Sequence, residues 1–358
     1  VNPRHTTRWA HRGTPCAKTA ALAERVQLRL VAGLLLAVGL LLAGRDAAAC
    51  AGCSNPNLPT ARSTTRALQA GQWQLGLNLS GTRLRVVHES RCPDIGPICT
   101  VRDEAPHLHD QTLWVGEVRA IAEVGLLPHW GLQLQLPAKV VGTWITYRRL
   151  DGSAFVPDYP TIHHRDETLA GIGDPWLQLR TATTAGRWLL VARTGVSIPL
   201  GGTVADPFAL GRAGQVHQHI QFGTGTWNPL AAIELATAEG RASLAAYAQV
   251  QWVPYANSHG FRAGNRLGAG LSGGWQWSPA LRCALAGDVV HEQAERWGGV
   301  IQQDGNLGRT DVLAGGQCTL TATGGQWTLA ARTPVWQRII GGQMTYPLIV
   351  TLGIETSP

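Results

Sequence analysis

From residue 72 onward, apolar and polar residues alternate with period two. Trp73, Leu75, Leu77 and Leu79 interleave with Gln74, Gly76, Asn78 and Ser80 over 72–87. Successive side chains of a strand point to opposite faces, so this stretch predicts a strand with one apolar and one polar face. Over 112–127, Trp114, Val118, Ala120, Ala122, Val124 and Leu126 lie opposite Glu117, Arg119 and Glu123. Over 131–149, Leu132, Leu134, Leu136, Ala138, Val140 and Trp144 lie opposite Gln133, Gln135 and Lys139. Further strands are predicted near 171–183, 187–199, 219–237, 241–253, 266–277, 280–292, 310–322, 326–336 and 343–355, twelve in all. On the last, Met344, Tyr346, Leu348, Val350, Leu352 and Ile354 share the apolar face.

Long and short connections alternate. Long polar segments fall at 88–111, 150–170, 200–218, 254–265 and 293–309. Tight turns fall near Pro128-His129-Trp130, Ala185-Gly186, Glu239-Gly240, Ser278-Pro279 and Gly324-Gly325. An even number of antiparallel strands joined in this way is the pattern of an outer-membrane barrel, with short turns in the periplasm and long loops outside. A soluble β-sandwich also alternates, but its strands are usually about 5–6 residues, and most of these match a tilted membrane crossing of ~9–11. Trp residues fall near strand ends: Trp73, Trp130, Trp188, Trp275, Trp277 and Trp327 by the turns, Trp114, Trp144, Trp227 and Trp252 by the loops. Such placement predicts two interfacial girdles, with Trp176, on the polar face, out of pattern. The fold class expected is therefore all-β, an antiparallel transmembrane up-and-down barrel of about twelve strands over 72–358.

Composition agrees: only 15% of residues are charged, Gly numbers 43 and Trp 14, against one Met. Residues 1–49 read as a signal peptide, with Arg25 and Arg29 before an apolar run from Leu30 to Ala43, then Ala47-Ala48-Ala49 as a small-residue cleavage pattern. The leader carries seven basic and two acidic residues, so the formal charge of +7 falls to +2 once it is removed. Nucleic-acid binding thereby loses its main compositional support, and no nucleic-acid partner is expected. Residues 50–71 read as a periplasmic segment, with Asn55 to Ala70 as a tether. The expected location is the bacterial outer membrane, with membrane lipid as one partner and a small-molecule or metal-ion solute as the other. Cys50 after Ala49 also fits loosely a lipoprotein signal.

Three stretches resemble signatures of the outer-membrane β-barrel family named for the meta-pathway of phenol degradation, whose members are called transporters. They are Gly171-Ile172-Gly173-Asp174, Gly195-Val196-Ser197-Ile198-Pro199-Leu200-Gly201 and Gly223-Thr224-Gly225-Thr226-Trp227. The resemblance covers 72–355 and implies an outer-membrane barrel that moves small molecules. The chain departs from many such barrels in ending Ile354-Glu355-Thr356-Ser357-Pro358, without a terminal aromatic.

Several residues have chemistry to offer. Glu117, Arg119, Glu123, Lys139, Arg193, Glu234, Arg282, Asp288, Glu292 and Arg332 fall on the polar face and predict a lumen of mixed sign, either open or closed by mutual pairing. Cys283 and Cys318 share the apolar face of neighbouring strands, equidistant from a loop centre near Val300, and predict a cross-strand disulfide; Cys92 and Cys99 would close a small ring in the first loop. Beyond the leader, nine of ten histidines fall at the loop end, among them His88, His163, His164, His259 and His291. His107-x-His109 and His217-x-His219 each place two imidazoles on one side of an extended chain, which suits Zn or Cu, with Asp110, Asp158 and Asp166 as supporting oxygens. Cys50-x-x-Cys53 has the spacing of a redox pair or half a metal site. No further cofactor is called for. A lipid hydrolase would need a Ser and a His in contact, and Ser197 and His291 are available, but Gly195-Val196-Ser197-Ile198-Pro199 lacks the closing Gly of a nucleophile elbow, so no enzyme is expected. The alternative to a channel is a structural or adhesion barrel without an open pore.

Overall fold

The computed structural model describes residues 57–58, 68–89, 107–157, 164–302, 305–340 and 344–356. The leader 1–49 and Cys50, Cys53, Cys92, Cys99, Asp158, His163 and the His88 side chain lie outside the described residues, and so do the expectations attached to them. The first half contains β1 (Trp73–Glu89), β2 (His107–Leu127), β3 (Trp130–Arg149), β4 (Ala154–Phe155), β5 (Glu167–Ile172), β6 (Trp176–Ala185), β7 (Trp188–Ser197) and the short helix α1 (Pro207–Arg212). The second half contains β8 (Asn228–Glu239), β9 (Ala242–Gln251), β10 (Phe261–Arg262), β11 (Arg266–Gln276), β12 (Leu281–Gln293), β13 (Arg296–Trp297), β14 (Gly308–Ala322), β15 (Gly325–Ile339) and β16 (Ile349–Thr356).

The wall is antiparallel throughout and closes on itself. β1 pairs with both β2 and β16, and β2 pairs with β3. Counting β5 and β6 as one interrupted strand, since both pair with β3, the ring has twelve strands, as the alternation predicts. Closure removes every open edge from the wall. Two-residue turns take the left-handed backbone that suits glycine, with Gly186 at φ 61° and Gly240 at φ 58°. His129 adopts φ 71° without being glycine, and its Nδ1 donates to the Ala182 carbonyl at 3.0 Å.

The faces are those the sequence predicts. Trp73, Leu75, Leu77 and Leu79 are exposed on the outside of the barrel, while Gln74 and Ser80 are buried inside. Trp114, Trp144, Trp227 and Trp252 are exposed near the loop end and Trp73, Trp130, Trp275 and Trp327 near the turn end. The exception, Trp176, faces inward with the Arg119 guanidinium 4.8 Å from its ring, so it belongs to the lumen. Cys283 and Cys318 are direct register partners and form a disulfide.

Three stretches differ from expectation. Residues 219–227 continue no wall strand: β8 starts at Asn228, and Ile220, Gln221 and Thr226 are buried. Met344 and Tyr346 are buried inside rather than on the outer face, because the alternation slips by one residue at Pro347 and Leu348, both exposed, while Thr345 still bridges to Arg85 of β1. The Tyr346 hydroxyl donates to Asp311 Oδ2 at 2.7 Å, a bond that rewards the inward turn. Of the stretch expected as a tether, Leu68 packs at the turn end, where a Cβ on Gly125 would strike the Gln69 backbone, whereas Asn57 and Leu58 sit inside the barrel. Their contacts with β3, β11 and β12 make them an inserted segment rather than a tether.

Candidate functional site

The lumen changes character along its axis. Toward the turn end it holds a chamber of about 720 Å³ walled by Gln74, Asn78, Tyr247, Arg282, Thr319 and Arg332 among others. Toward the loop end, the inward positions of the same strands become apolar. Leu84, Val86, Leu113, Val115, Val141, Leu313 and Ile349 form one buried cluster with Leu58, Ile220, Met344 and Tyr346. The inward residue thus switches from polar to apolar near Thr82, and the apolar cluster packs around the buried Arg309–Asp311 ion pair, 2.7 Å apart, to which the Tyr346 hydroxyl also donates.

Paired charges run along the lumen, from Glu123, register partner of the chamber residue Gln74, to Glu292, register partner of Arg309 near the loops. Glu117 pairs with Arg119 at 2.7 Å, Glu123 with Arg180 at 3.1 Å, Asp288 with Arg332 at 2.7 Å and Glu292 with Arg266 at 3.5 Å. Arg193 pairs with Glu234. Burying single charges is expensive, and this mutual pairing is what makes the layer tolerable in a confined lumen. Glutamines link the pairs: Gln133 Nε2 donates to Glu123 at 2.7 Å, Gln135 Nε2 to Gln133 at 2.7 Å, and Arg119 Nη1 to Gln135 at 3.2 Å. Tyr247 donates to Asp288 at 3.0 Å across Gly270, where any Cβ would collide with both side chains. Lys139 Nζ donates to Asn57 Oδ1 at 3.2 Å. Glu117, Arg119, Glu123, Arg193, Asp288 and Glu292 are buried, whereas Arg282 is exposed and reaches Ser243 Oγ at 2.9 Å, like Lys139 a cation on a neutral partner. Arg180, Arg266 and Asn57 were not singled out. The first two stand at inward positions that alternation alone would have given.

The three glycine-rich motifs converge on one point, the break between β5 and β6. Asp174, buried, accepts from Gly201 N at 3.0 Å, from Thr224 N at 2.7 Å and from Thr224 Oγ1 at 2.6 Å. Gly201 and Gly223 pack backbone to backbone beside it, and a Cβ on either would strike the other residue and the carboxylate. Asn228 Nδ2 ties Thr224 Oγ1 (2.7 Å) to Ser197 Oγ (3.1 Å). The motifs are therefore a knot that folds 219–227 inward. Ser197 is bound up in it, and His291 Nδ1 meets Thr310 Oγ1 at 2.8 Å, so this Ser and His serve separate structural bonds rather than one catalytic contact.

The loop end gathers histidines. His107 and His109 meet through their Nε2 atoms at 3.0 Å, and His109 Nδ1 meets His164 Nδ1 at 2.9 Å, which makes a chain of three imidazoles. His217 and His219 stand with ring centroids 5.5 Å apart. Burial first, then the neighbouring imidazoles of His217 and His164, pushes His219 down to about 3; burial also lowers His217. These two rings are thus neutral at pH 7, the form that ligates metal. Yet the chain of nitrogens is spent on ring-to-ring bonds, and among the described residues no three His, Cys, Asp or Glu side chains converge as a metal site. The supporting aspartates are also committed: Asp110 accepts two bonds from Arg85, at 2.9 and 2.7 Å, and Asp166 accepts from Ile145 N at 2.7 Å. His164 joins from 55 residues away, which no local spacing could reveal.

No family model matches the chain. No curated protein matches it either. Among solved structures it is similar to an outer membrane channel from Pseudomonas putida F1, at 12% identity and a TM-score of 0.57, over 84% of this chain and 100% of that one. Weaker likenesses are to outer-membrane-expressed OmpT of Vibrio cholerae, at 8% identity, a TM-score of 0.35 and coverage of 82% and 100%. A mutant of the TodX monoaromatic hydrocarbon channel gives 10%, 0.39, 81% and 90%. The first of these likenesses shows the fold, a barrel of the outer-membrane type, as the three motifs imply.

Proposed function

We propose that this chain is a channel of the bacterial outer membrane for small solutes, with its turns in the periplasm and its loops outside. The observation that carries this reading is the lumen. It keeps a chamber of about 720 Å³ at its turn end, capped toward the loops by the apolar cluster, by paired charges and by the inserted Asn57-Leu58. A barrel serving only as scaffold is most stable with its interior packed, whereas a chamber this size accommodates a small organic molecule. The apolar outer half suits solutes with an apolar body and disfavours bare ions. The outward apolar face and its Trp girdles suit a lipid bilayer. The solved structure of similar fold is described as an outer membrane channel, which agrees with this assignment.

The test is conduction. Refolded protein in planar bilayers should show small, discrete current steps, and liposomes carrying it should swell in small uncharged solutes faster than empty ones. Protein that migrates as a folded barrel on unboiled gels but leaves both signals at the level of protein-free membranes would defeat the channel reading.

A further inference from the structure

Asn57 is a guest in the lumen: it belongs to no wall strand, and its side chain bridges two walls. Its Nδ2 donates to Glu292 on β12, at 3.1 Å to Oε1 and 3.3 Å to Oε2. Its Oδ1 accepts from Lys139 on β3 at 3.2 Å. Arg266 on β11 donates to the Leu58 carbonyl at 2.9 Å, and the Leu58 side chain, 6% exposed, enters the apolar cluster toward the loops. A cavity of about 70 Å³, lined by Lys139, Arg119, Glu117, Arg266 and Glu292, adjoins it. The ring thus offers a guest three things together: a cationic donor, an anionic acceptor facing it, and, where Leu58 now packs, a berth in the apolar cluster above.

We infer that this ring is the channel's solute-recognition site, and that its ligand class is a small neutral molecule with an apolar body and one end that both donates and accepts hydrogen bonds, a primary carboxamide being the plainest case. The inference rests on the channel reading and names what the channel selects. A carboxylate in Asn57's place would set an oxygen against Glu292, and an ammonium would set N–H groups against Lys139. Each would set like charge against like in a confined site, since Glu292 already accepts from Asn306 Nδ2 at 2.8 Å and gains nothing from a second carboxylate. A neutral amide satisfies both ends and leaves the surrounding ion pairs undisturbed. Asn57 occupies the site as an internal stand-in, so a solute must displace it.

The test compares wild type with Asn57→Gly, a change that touches no backbone bond of the wall ladder, in planar bilayers with benzamide, benzoate or benzylammonium added. Benzamide should block Asn57→Gly at about a tenfold lower concentration than wild type, the effect of one charge-assisted hydrogen bond no longer contested. Benzoate and benzylammonium should block poorly in both. Adding Lys139→Gln to Asn57→Gly should return the benzamide concentration to the wild-type range. Equal block by all three probes, tighter block by benzoate, or no block by benzamide overturns the inference while leaving the channel intact. Calorimetric binding of benzamide to Asn57→Gly in detergent, in protein that conducts nothing, would sustain the site and overturn the channel. Neither binding nor conduction in a correctly folded barrel overturns both.

Discussion

Cys283 on β12 and Cys318 on β14 face one another as register partners, their Cα atoms 4.0 Å apart, and their disulfide lies on the outer face of the wall. The bond closes a loop with a sequence separation of 35, which in the chain-entropy model contributes about 3–4 kcal/mol. Cys283→Ser with Cys318→Ser should still give a barrel, because the β12–β14 ladder remains. The temperature at which it loses its folded gel mobility should fall, and wild type under reductant should fall to match. Peptide mapping without reductant that finds Cys283 as a free thiol would refute the pairing.

Asp174 holds two backbone donors and one hydroxyl at the break between β5 and β6. Asp174→Ala strands all three and should cost on the order of 3 kcal/mol, whereas a substitution such as Thr345→Ala at the outer rim should be nearly silent. The segment carrying Ile220 and Phe222 should become the first site of proteolysis. Unchanged protease resistance at 219–227 would show that the knot is not what holds the segment in.

The Asp288–Arg332 pair, with Tyr247 on the same carboxylate, offers a test of pairing against burial. Arg332→Met alone leaves a buried carboxylate and should destabilise the barrel by roughly 3–5 kcal/mol. Adding Asp288→Asn should recover much of that loss. A double variant as unstable as the sum of its parts would mean the two charges act independently.

Glu295 lies in the loop between β12 and β13, buried beside Trp297, whose Nε1 donates to it at 3.2 Å. Burial raises its carboxyl from the usual range to about 7. The folded loop therefore holds a proton that the unfolded chain releases, so stability is full below pH 4.5 and is lost as pH rises through 7. Hydrogen exchange around Gly305 and Asn306 should be slower at pH 5 than at pH 8 once corrected for intrinsic rate. Glu295→Gln should abolish that difference, and a pH effect that persists in the variant would assign it elsewhere.

The wall was legible because it obeys one rule. Period-two alternation names Glu117, Arg119, Glu123 and Lys139 as inward, and symmetry about a loop pairs Cys283 with Cys318. The interior contents obey no such rule. Ile220 and Phe222 alternate with polar neighbours as wall residues do, and it is Asp174, some fifty residues away, together with the Gly202 carbonyl, that turns that segment inward. Tyr346 looked like a continuation of β16 until Pro347 and Asp311 redirected it. Asn57 meets Glu292 across a separation of 235 residues, a contact carried by the closed ring and by nothing local.

That last contact also constrains the order of assembly. The ring is sealed by the pairing of β1 with β16, the first wall strand with the last. Asn57 and Leu58, just ahead of β1 in the chain, are gripped by β3, β11 and β12, so their berth does not exist until most of the circumference has been built. Seating them is therefore a late event, coincident with or following the closing of the seam. A barrel that seals without them is a finished wall with a vacant throat, and the inserted pair serves as a mark of completed assembly that a truncated or misregistered wall cannot carry.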